Sequence, residues 1–592
     1  MPHFLTPLNL VILAGVAVLG FFILYPILFV VFGSFWSANP GLPGHLTLSN
    51  YAEALGAIQT YSTLWNTLVY SFGVSVLAVS FGVVLSFITT MTDTPLRRFL
   101  YYLPFFPLAF PAFLMNLGWI YLFAHNSGVV NVFIKNDLDL GWAPFNVYSL
   151  AGVIWATGVA EIPISYLAIA PSMMAFDQSL DDASRVSGAS LLYTVRKVTI
   201  PLLLPAIASA FVLAFALGVA SFEAPVQIGW PAGFYVLMSR IYLNTQNLVP
   251  PDYSQSSAFA MLALLTTMTL FVLYYRFLRS ARKYQVVSGR GYNRRPVSLG
   301  RWKYLLLGVI CFYLVVILVM PLSVLALLSF VPEMNPSSPF SNLSLNNYAF
   351  LFSSHSGAFG TIANSLSTWV STATIVTIVA LMIVFTAYMT KIRGRAILEG
   401  LGVLPLAVPS LLIGFGFLWA FLTIPTGLWG TIGVLVIALV VTLLPQAIRT
   451  LTGPVVQINY ELIEASRVSG AANGRTVRRI LIPLLRNSLV GTWLYVLVLS
   501  STAVGPIVLL FTTQNTVLST YIWNDWVSKP NETGIVAAAG ILLMAIDWAV
   551  IAGLLLLQSR LSSTSLRNQV AFVSPSNPAP PGQRTLEGKN RG

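Results

Sequence analysis

Twelve stretches of this 592-residue chain are long and apolar enough to cross a bilayer: near 8–32, 64–90, 99–124, 147–170, 202–222, 256–278, 304–330, 364–389, 398–423, 429–446, 487–511 and 534–558. A spanning helix takes about 20 mainly apolar residues, and within lipid only helices or closed barrels satisfy every backbone polar group. Runs of this length are too long for barrel strands, so the chain is predicted to be an all-α polytopic membrane protein. Composition agrees, with 56% of residues hydrophobic and 8% charged, against about a quarter charged in soluble domains. The first run, Leu8 to Phe32, exceeds a signal-peptide core and has no basic leader, so it reads as a retained span. Pro425 and Gly427 blur the start of the tenth.

Charge gives the chain its sides. A net charge of +13 could indicate nucleic acid or an acidic partner. Yet Arg97 and Arg98, Arg185, Arg196 and Lys197, Arg276 through Lys303, Lys391 through Arg395, Arg449 through Arg486 and the segment from Arg560 onward all fall on one side of the twelve spans. Of 31 Lys and Arg residues, only Lys135, Arg240 and Lys529 lie on the other. The positive-inside rule makes the basic side cytoplasmic, with both termini there. The net charge therefore reports topology. Cys311 sits alone in an apolar run, which excludes a disulfide framework and a thiol metal site. His45, His125 and His355 are scattered over outer segments, and no nucleophile–base pair or HExxH-type spacing supports a membrane-embedded enzyme.

The chain also repeats itself. "LTLSNYA" at 46–52 matches "LSLNNYA" at 343–349, "NTL" at 66–68 matches "NSL" at 364–366, "PLAFP" at 107–111 matches "PLAVP" at 405–409, and "ASRVSGA" occurs at 183–189 and 465–471. The order is the same in both halves. Six spans lie between Pro201 and Pro483, so both heptapeptides emerge on one side and the duplication is parallel, about an axis along the membrane normal. The expected organisation is a six-span half over 1–278, a basic linker over 279–303, a second six-span half over 304–560, and a disordered cytoplasmic tail over 561–592.

The repeated loop is the best-matched part of the two halves: from 182–203 against 464–485, 14 of 22 residues are identical. Each copy starts with a carboxylate, Asp182 or Glu464, near the start of a short helix, where the helix dipole favours negative charge. Small residues follow, Ala183 and Ser184 or Ala465 and Ser466, then Arg185 or Arg467. Gly188 and Gly470 permit a turn that a Cβ would resist. A basic helical stretch then carries Arg196 and Lys197, or Arg478 and Arg479, and Pro201 and Pro483 are expected to end it where the next span begins. One amphipathic hairpin could merely cap a bundle. Loops normally diverge faster than the spans they join, so two matched copies imply a partner that grips both, itself twofold.

The loop resembles the EAA signature of ABC importer permeases: E-A-A, three residues, G, nine residues, then I-x-L-P. Copy one supplies Asp182, Ala183, Ser184, Gly188, Val198, Ile200 and Pro201; copy two supplies Glu464, Ala465, Ser466, Gly470, Ile480, Ile482 and Pro483. The departures are Asp for Glu in copy one, and Ser for the second Ala and Ile for Leu in both. The resemblance implies the type I importer fold, a bacterial inner-membrane location, and a coupling role for Asp182, Ala183, Ser184, Arg185 and Gly188, and for Glu464, Ala465, Ser466, Arg467 and Gly470, against two ATP-binding subunits. It also implies a periplasmic or lipid-anchored substrate-binding protein, for which the outer loops 33–63 and 331–363 are docking candidates. Nothing in the chain matches G-x-x-x-x-G-K-[ST], so no cofactor is expected on it, and ATP and Mg belong to the partners.

Fused halves of this length look like the ferric-iron branch of that family, with thiamine, phosphonate and polyamine permeases as its relatives; "SFEAPVQIGWPAGFYVLMSRIY" at 221–242 carries much of the likeness. Intramembrane carboxylates are functional candidates by default, and Glu161 and Glu223 stand in spans that line the pathway in this family. Oxygen ligands suit a hard cation. Their bland alternative is a buried helix residue and an interfacial one. Leu443 and "SSTAVGP" at 500–506 occupy the matching places, so any such pathway is asymmetric. The rival class is an autonomous gradient-driven transporter, which would have no need of paired cytoplasmic hairpins.

Overall fold

In the computed structural model of the chain the described residues are 7–102, 104, 107, 110–139, 141–174, 184, 186–283, 297–332, 342–353, 357–390, 394–469, 473–529 and 532–573. Among them the chain is helical, with isolated β-bridges at Trp36–Leu46 and Thr92–Val297. The long elements are α1 (Pro7–Phe35), α2 (Ile58–Met91), α3 (Ala112–Phe123), α4 (Leu150–Met174), α5 (Ile200–Ala220), α6 (Tyr253–Lys283), α7 (Trp302–Ser329), α8 (Ala358–Met389), α9 (Ser410–Thr423), α10 (Ile432–Val456), α11 (Ile482–Thr502) and α12 (Thr533–Val573). Nine helices among the described residues are long and apolar enough to cross a membrane, ten if a bent pair counts as one span, and Gly20–Phe35 and Ala112–Phe123 are shorter apolar helices.

The third span of each half is where the sequence expectation needs correcting. Neither 99–124 nor 398–423 is one helix. Arg395–Ala407 and Ser410–Thr423 meet at a 102° bend, and in the first half α3 starts only at Ala112. The cause is the repeated PLAxP: Pro111 and Pro409 take extended ψ of 125° and 136° and end the preceding path. Their carbonyls then accept the first bonds of the new helices, from Leu114 at 3.1 Å and Leu412 at 2.9 Å. The tenth span also shifts, from 429–446 to α10 at Ile432–Val456, with Pro445 and Pro454 carried inside it.

Pro201 and Pro483 do not stop the basic stretch, as expected from sequence. A π-helical turn at Val195–Thr199 precedes Pro201 and another at Val477–Leu481 precedes Pro483, and the helix continues into α5 and α11. Proline clashes with the carbonyl four residues back and has no N–H to donate; a widened turn just before it relieves both. The same device, Val315–Val319, precedes Pro321 within α7.

Two compact units divide the chain, Met1–Met544 and Ala545–Gly592. The described part of the smaller unit is the end of α12, which stays helical to Val573; helix therefore replaces the disordered tail expected from 561, as far as that residue. The larger unit holds both halves because they exchange their first spans. α1 packs on α9 of the second half, and the end of α7 packs on α3 of the first. Two glycines permit this: a Cβ at Gly416 would overlap the Pro26 backbone, and one at Gly118 would overlap Pro321. Within each half the core is a three-helix contact, α2 with α4 and α5, and α8 with α10 and α11.

The repeated polar words are the clasps of this arrangement. Asn50 donates to the Trp36 carbonyl at 2.8 Å and Asn347 to that of Val331 at 3.0 Å. Tyr51 and Tyr348 donate to Ser34 and Ser329. Each pair ties the end of a first span to the start of the next. Asn66 and Asn364 donate to the Tyr235 and Thr516 carbonyls, both at 3.2 Å, while the hydroxyls of Thr67 and Ser365 accept the first N–H groups of short helices at Leu237–Gln246 and Leu518–Ser528.

Candidate functional site

The two hairpins come first. Asp182, Ala183, Arg185 and Gly470 lie outside the described residues; Ser184, Gly188, Glu464, Ala465, Ser466 and Arg467 lie within them. In the second copy Glu464 through Arg467 belong to the helix Tyr460–Val468, whose start is held by the Asn459 side chain accepting from the Glu461 N–H at 3.1 Å. Glu464 and Ala465 are exposed and Ser466 is buried. In the first copy Gly188 has φ +88°, the left-handed turn expected of it, and the Ala189 N–H reaches back to the Ser184 carbonyl at 3.2 Å.

Both hairpins are closed by one bond that sequence reasoning missed. Ser184 Oγ lies 3.0 Å from Thr194 Oγ1, and Ser466 Oγ lies 2.8 Å from Thr476 Oγ1. The serines, read from sequence as merely small, clasp the first arm to the second; the shared "T-V-R" of the repeat was the available signal. The same geometry turns Val186 and Val468, which occupy matching positions, outward at 89% exposure each. Each hairpin thus presents one exposed valine at the same place.

The second feature is a cavity of about 450 Å³ lined by both halves. The two PLAxP breaks form part of its wall, through Pro107 and Phe110 on one side and Pro405 to Pro409 on the other. Glu161 and Glu223 both line it. Glu161 is 6% exposed, and its Oε2 has no hydrogen-bond partner among the described residues. Behind it Tyr70 donates to Thr157 at 2.6 Å. The polar wall belongs mostly to the first half: Asn116, Thr157, Ser221 and the two carboxylates face Ser410, Thr442, Gln446 and Thr502 of the second. In register with the repeat, Leu443 stands for Glu161 and Gly505 for Glu223. Among the described residues no group of three His, Cys, Asp or Glu side chains is placed to hold a metal.

A buried aromatic cluster joins the two halves beside Glu223. Phe222, next to Glu223, packs against Tyr242 and Trp523 with ring centroids 6.0 and 5.2 Å apart. Trp523 Nε1 donates to Tyr242 Oη at 2.9 Å, joining the short helices of the two halves.

A duplicated helical bundle, spanning a membrane, with twin surface hairpins and a central cavity walled by both repeats, defines a transport permease. The chain belongs to the family described as binding-protein-dependent transport system inner membrane component, whose model matches residues 78–283 and again 380–563. It is 26% identical over 544 residues to the ferric transport system permease protein FbpB of Actinobacillus pleuropneumoniae, covering 91% of this chain and 77% of that one. A Haemophilus influenzae protein provisionally named as a ferric transport system permease is 25% identical over 86% of this chain and 79% of its own length. The sulfate transport system permease protein CysT of Salmonella typhimurium is 26% identical, over 38% of this chain and 79% of its own.

Proposed function

We propose that the chain is the membrane subunit of an ATP-driven, binding-protein-dependent importer, and that ferric iron is its cargo. The observation that carries the coupling half of this reading is the paired Ser–Thr clasp, the same bond at the same place in both hairpins. A partner with two equal grooves, a pair of ATP-binding subunits, would seat Val186 and Val468 and move both hairpins together. The basic side is then cytoplasmic, the termini lie there, and the outer loops face a substrate-binding protein. ATP and Mg sit on the partners, as the chain has no phosphate-binding loop of its own. Alternating access would switch the cavity between the two sides, with Glu161 and Glu223 on the route.

Ferric iron is favoured because the relatives bearing that name match nearly the whole chain, both halves in one polypeptide, whereas the sulfate relative matches one half's worth. Thiamine, phosphonate and polyamine remain alternatives for the same machine. A gradient-driven carrier accounts for neither clasp. The test is reconstitution in vesicles with the ATP-binding subunits and the binding protein. Ferric iron uptake is expected to need all three components and ATP, and to be lost in a Val186→Arg, Val468→Arg double variant that still inserts. Uptake by the chain alone, driven by an ion gradient, would overturn the coupling.

A further inference from the structure

We infer that the central cavity contains a one-sided, all-oxygen binding site for a hard multivalent cation, built by Glu161, Glu223 and the side-chain carbonyl of Asn116, with Gln227 setting the orientation of that carbonyl. The inference rests on the cation-import reading and adds to it the atoms that touch the cation.

Three observations carry it. Glu161 is more than nine-tenths buried with Oε2 unpartnered, and it lines the cavity together with Glu223. No Lys, Arg or His is among the described residues of that wall. A carboxyl held away from water either keeps its proton or needs a positive group to meet its charge; the lining side chains supply no such group, so a cation that displaces the proton would enter from the cavity. The third is the amide pair. Asn116 Nδ2 donates to Gln227 Oε1 at 2.9 Å, and Gln227 Nε2 donates to the Phe113 carbonyl at 3.1 Å. Asn116 and Gln227 are 3% and 1% exposed, so the chain of bonds has no freedom to flip: turning either amide would set donor against donor or acceptor against acceptor. Asn116 spends one of its two N–H groups on Gln227, and that bond fixes which way the amide turns, so that its side-chain oxygen is held in place to serve the cavity.

Two carboxylates and a carbonyl form an oxygen set suited to hard cations, with no nitrogen or sulfur to select a softer one. The set cannot be doubled by the repeat, because Gly414, Leu443 and Gly505 stand at the matching positions. The second half contributes only neutral groups such as Thr442 and Thr502 to the same cavity. With two carboxylates and no third His, Cys, Asp or Glu grouped with them among the described residues, such a site holds a cation loosely enough to let it go, which is what a transport intermediate requires.

Terbium(III), a hard trivalent probe whose emission is sensitised by nearby indole, tests this directly, since Trp119 lines the cavity. The full chain with its ATP-binding subunits in nanodiscs is expected to show sensitised emission that falls at least tenfold in a Glu161→Gln, Glu223→Gln double variant. In vesicles, ferric iron uptake is expected to fall at least tenfold in Glu161→Gln and in Asn116→Leu. Gln227→Leu, which frees the Asn116 amide to turn, is expected to lower uptake while binding-protein-stimulated ATPase persists. Emission equal in wild type and double variant, or displaced by spermidine or thiamine and not by gallium(III), overturns the site. Iron uptake that survives both Glu→Gln changes also overturns it and leaves the cargo assignment standing. Carboxylate-dependent emission in a complex that imports no iron leaves the site standing and removes the cargo.

Discussion

Trp523 donates its indole N–H to the Tyr242 hydroxyl at 2.9 Å, and both residues are almost wholly buried. The bond joins the short helices of the two halves, Leu237–Gln246 and Leu518–Ser528. A buried hydrogen bond of this kind contributes about 1 kcal/mol net, roughly a fivefold bias in a two-state equilibrium. Trp523→Phe keeps an aromatic ring and removes the donor. The expected result is a several-fold rise in ATPase activity of the assembled transporter without binding protein, since this contact between the halves is weakened. Unchanged basal ATPase would show that the bond does not hold the closed state.

The hairpin clasp predicts a specific non-additivity. Ser466→Ala and Thr476→Val each remove one partner of the same 2.8 Å bond, so each is expected to lower the transport obtained per ATP hydrolysed. The double variant should be little worse than either single one, with a coupling energy of about 1 kcal/mol. Additive losses in a double-mutant cycle would assign the two residues separate roles. The Ser184 and Thr194 pair should behave in the same way.

Gly188 separates backbone strain from crowding. Its φ is +88°, and nothing lies within 4 Å of where a Cβ would be. A side chain there meets no neighbour and still costs about 1–2 kcal/mol in the left-handed region. Gly188→Val is expected to uncouple ATP hydrolysis from transport with normal membrane insertion, whereas Gly188→Asn, which tolerates that region better, should retain more transport. Equal loss in both variants would point to contact with the partner rather than to the turn.

The exchange of first spans predicts where glycine is indispensable. Gly416 lies against the Pro26 backbone, and Gly416→Val forces α1 away from α9. Overpacking typically costs 1–3 kcal/mol, and more where backbone blocks relaxation. The yield of monodisperse protein from membranes should fall sharply. Gly308 in α7 has open space around its Cβ position, so Gly308→Ala should be neutral or slightly stabilising, by up to about 1 kcal/mol of helix propensity. Similar yields for the two variants would contradict the interlocked packing.

Much of this was legible in the linear chain. Span length follows from bilayer thickness, so the polytopic helical class needed no coordinates. The repeated words were visible as matches, but their purpose was not. "NYA" reads as a loop until Asn50 and Tyr51 are seen bonded to the end of α1. "PLAFP" and "PLAVP" read as matching words inside continuous spans, and the apolar run carries across them; the 102° bend appears only in the folded chain. The serines of "ASRVSGA" looked like packing residues because their partners, Thr194 and Thr476, stand ten positions away across a turn.

By itself the sequence determined the class of the protein, its parallel duplication and the repeated hairpin, because all of these depend on local composition and periodicity. Tertiary structure decided which residues meet. It placed Glu161 and Glu223 in one cavity wall, aligned Asn116 through Gln227, and bonded Tyr242 of one half to Trp523 of the other. Such meetings depend on how two halves cross and exchange helices, and that crossing is set by the close approach of backbones at Gly118 and Gly416, which hydropathy does not record.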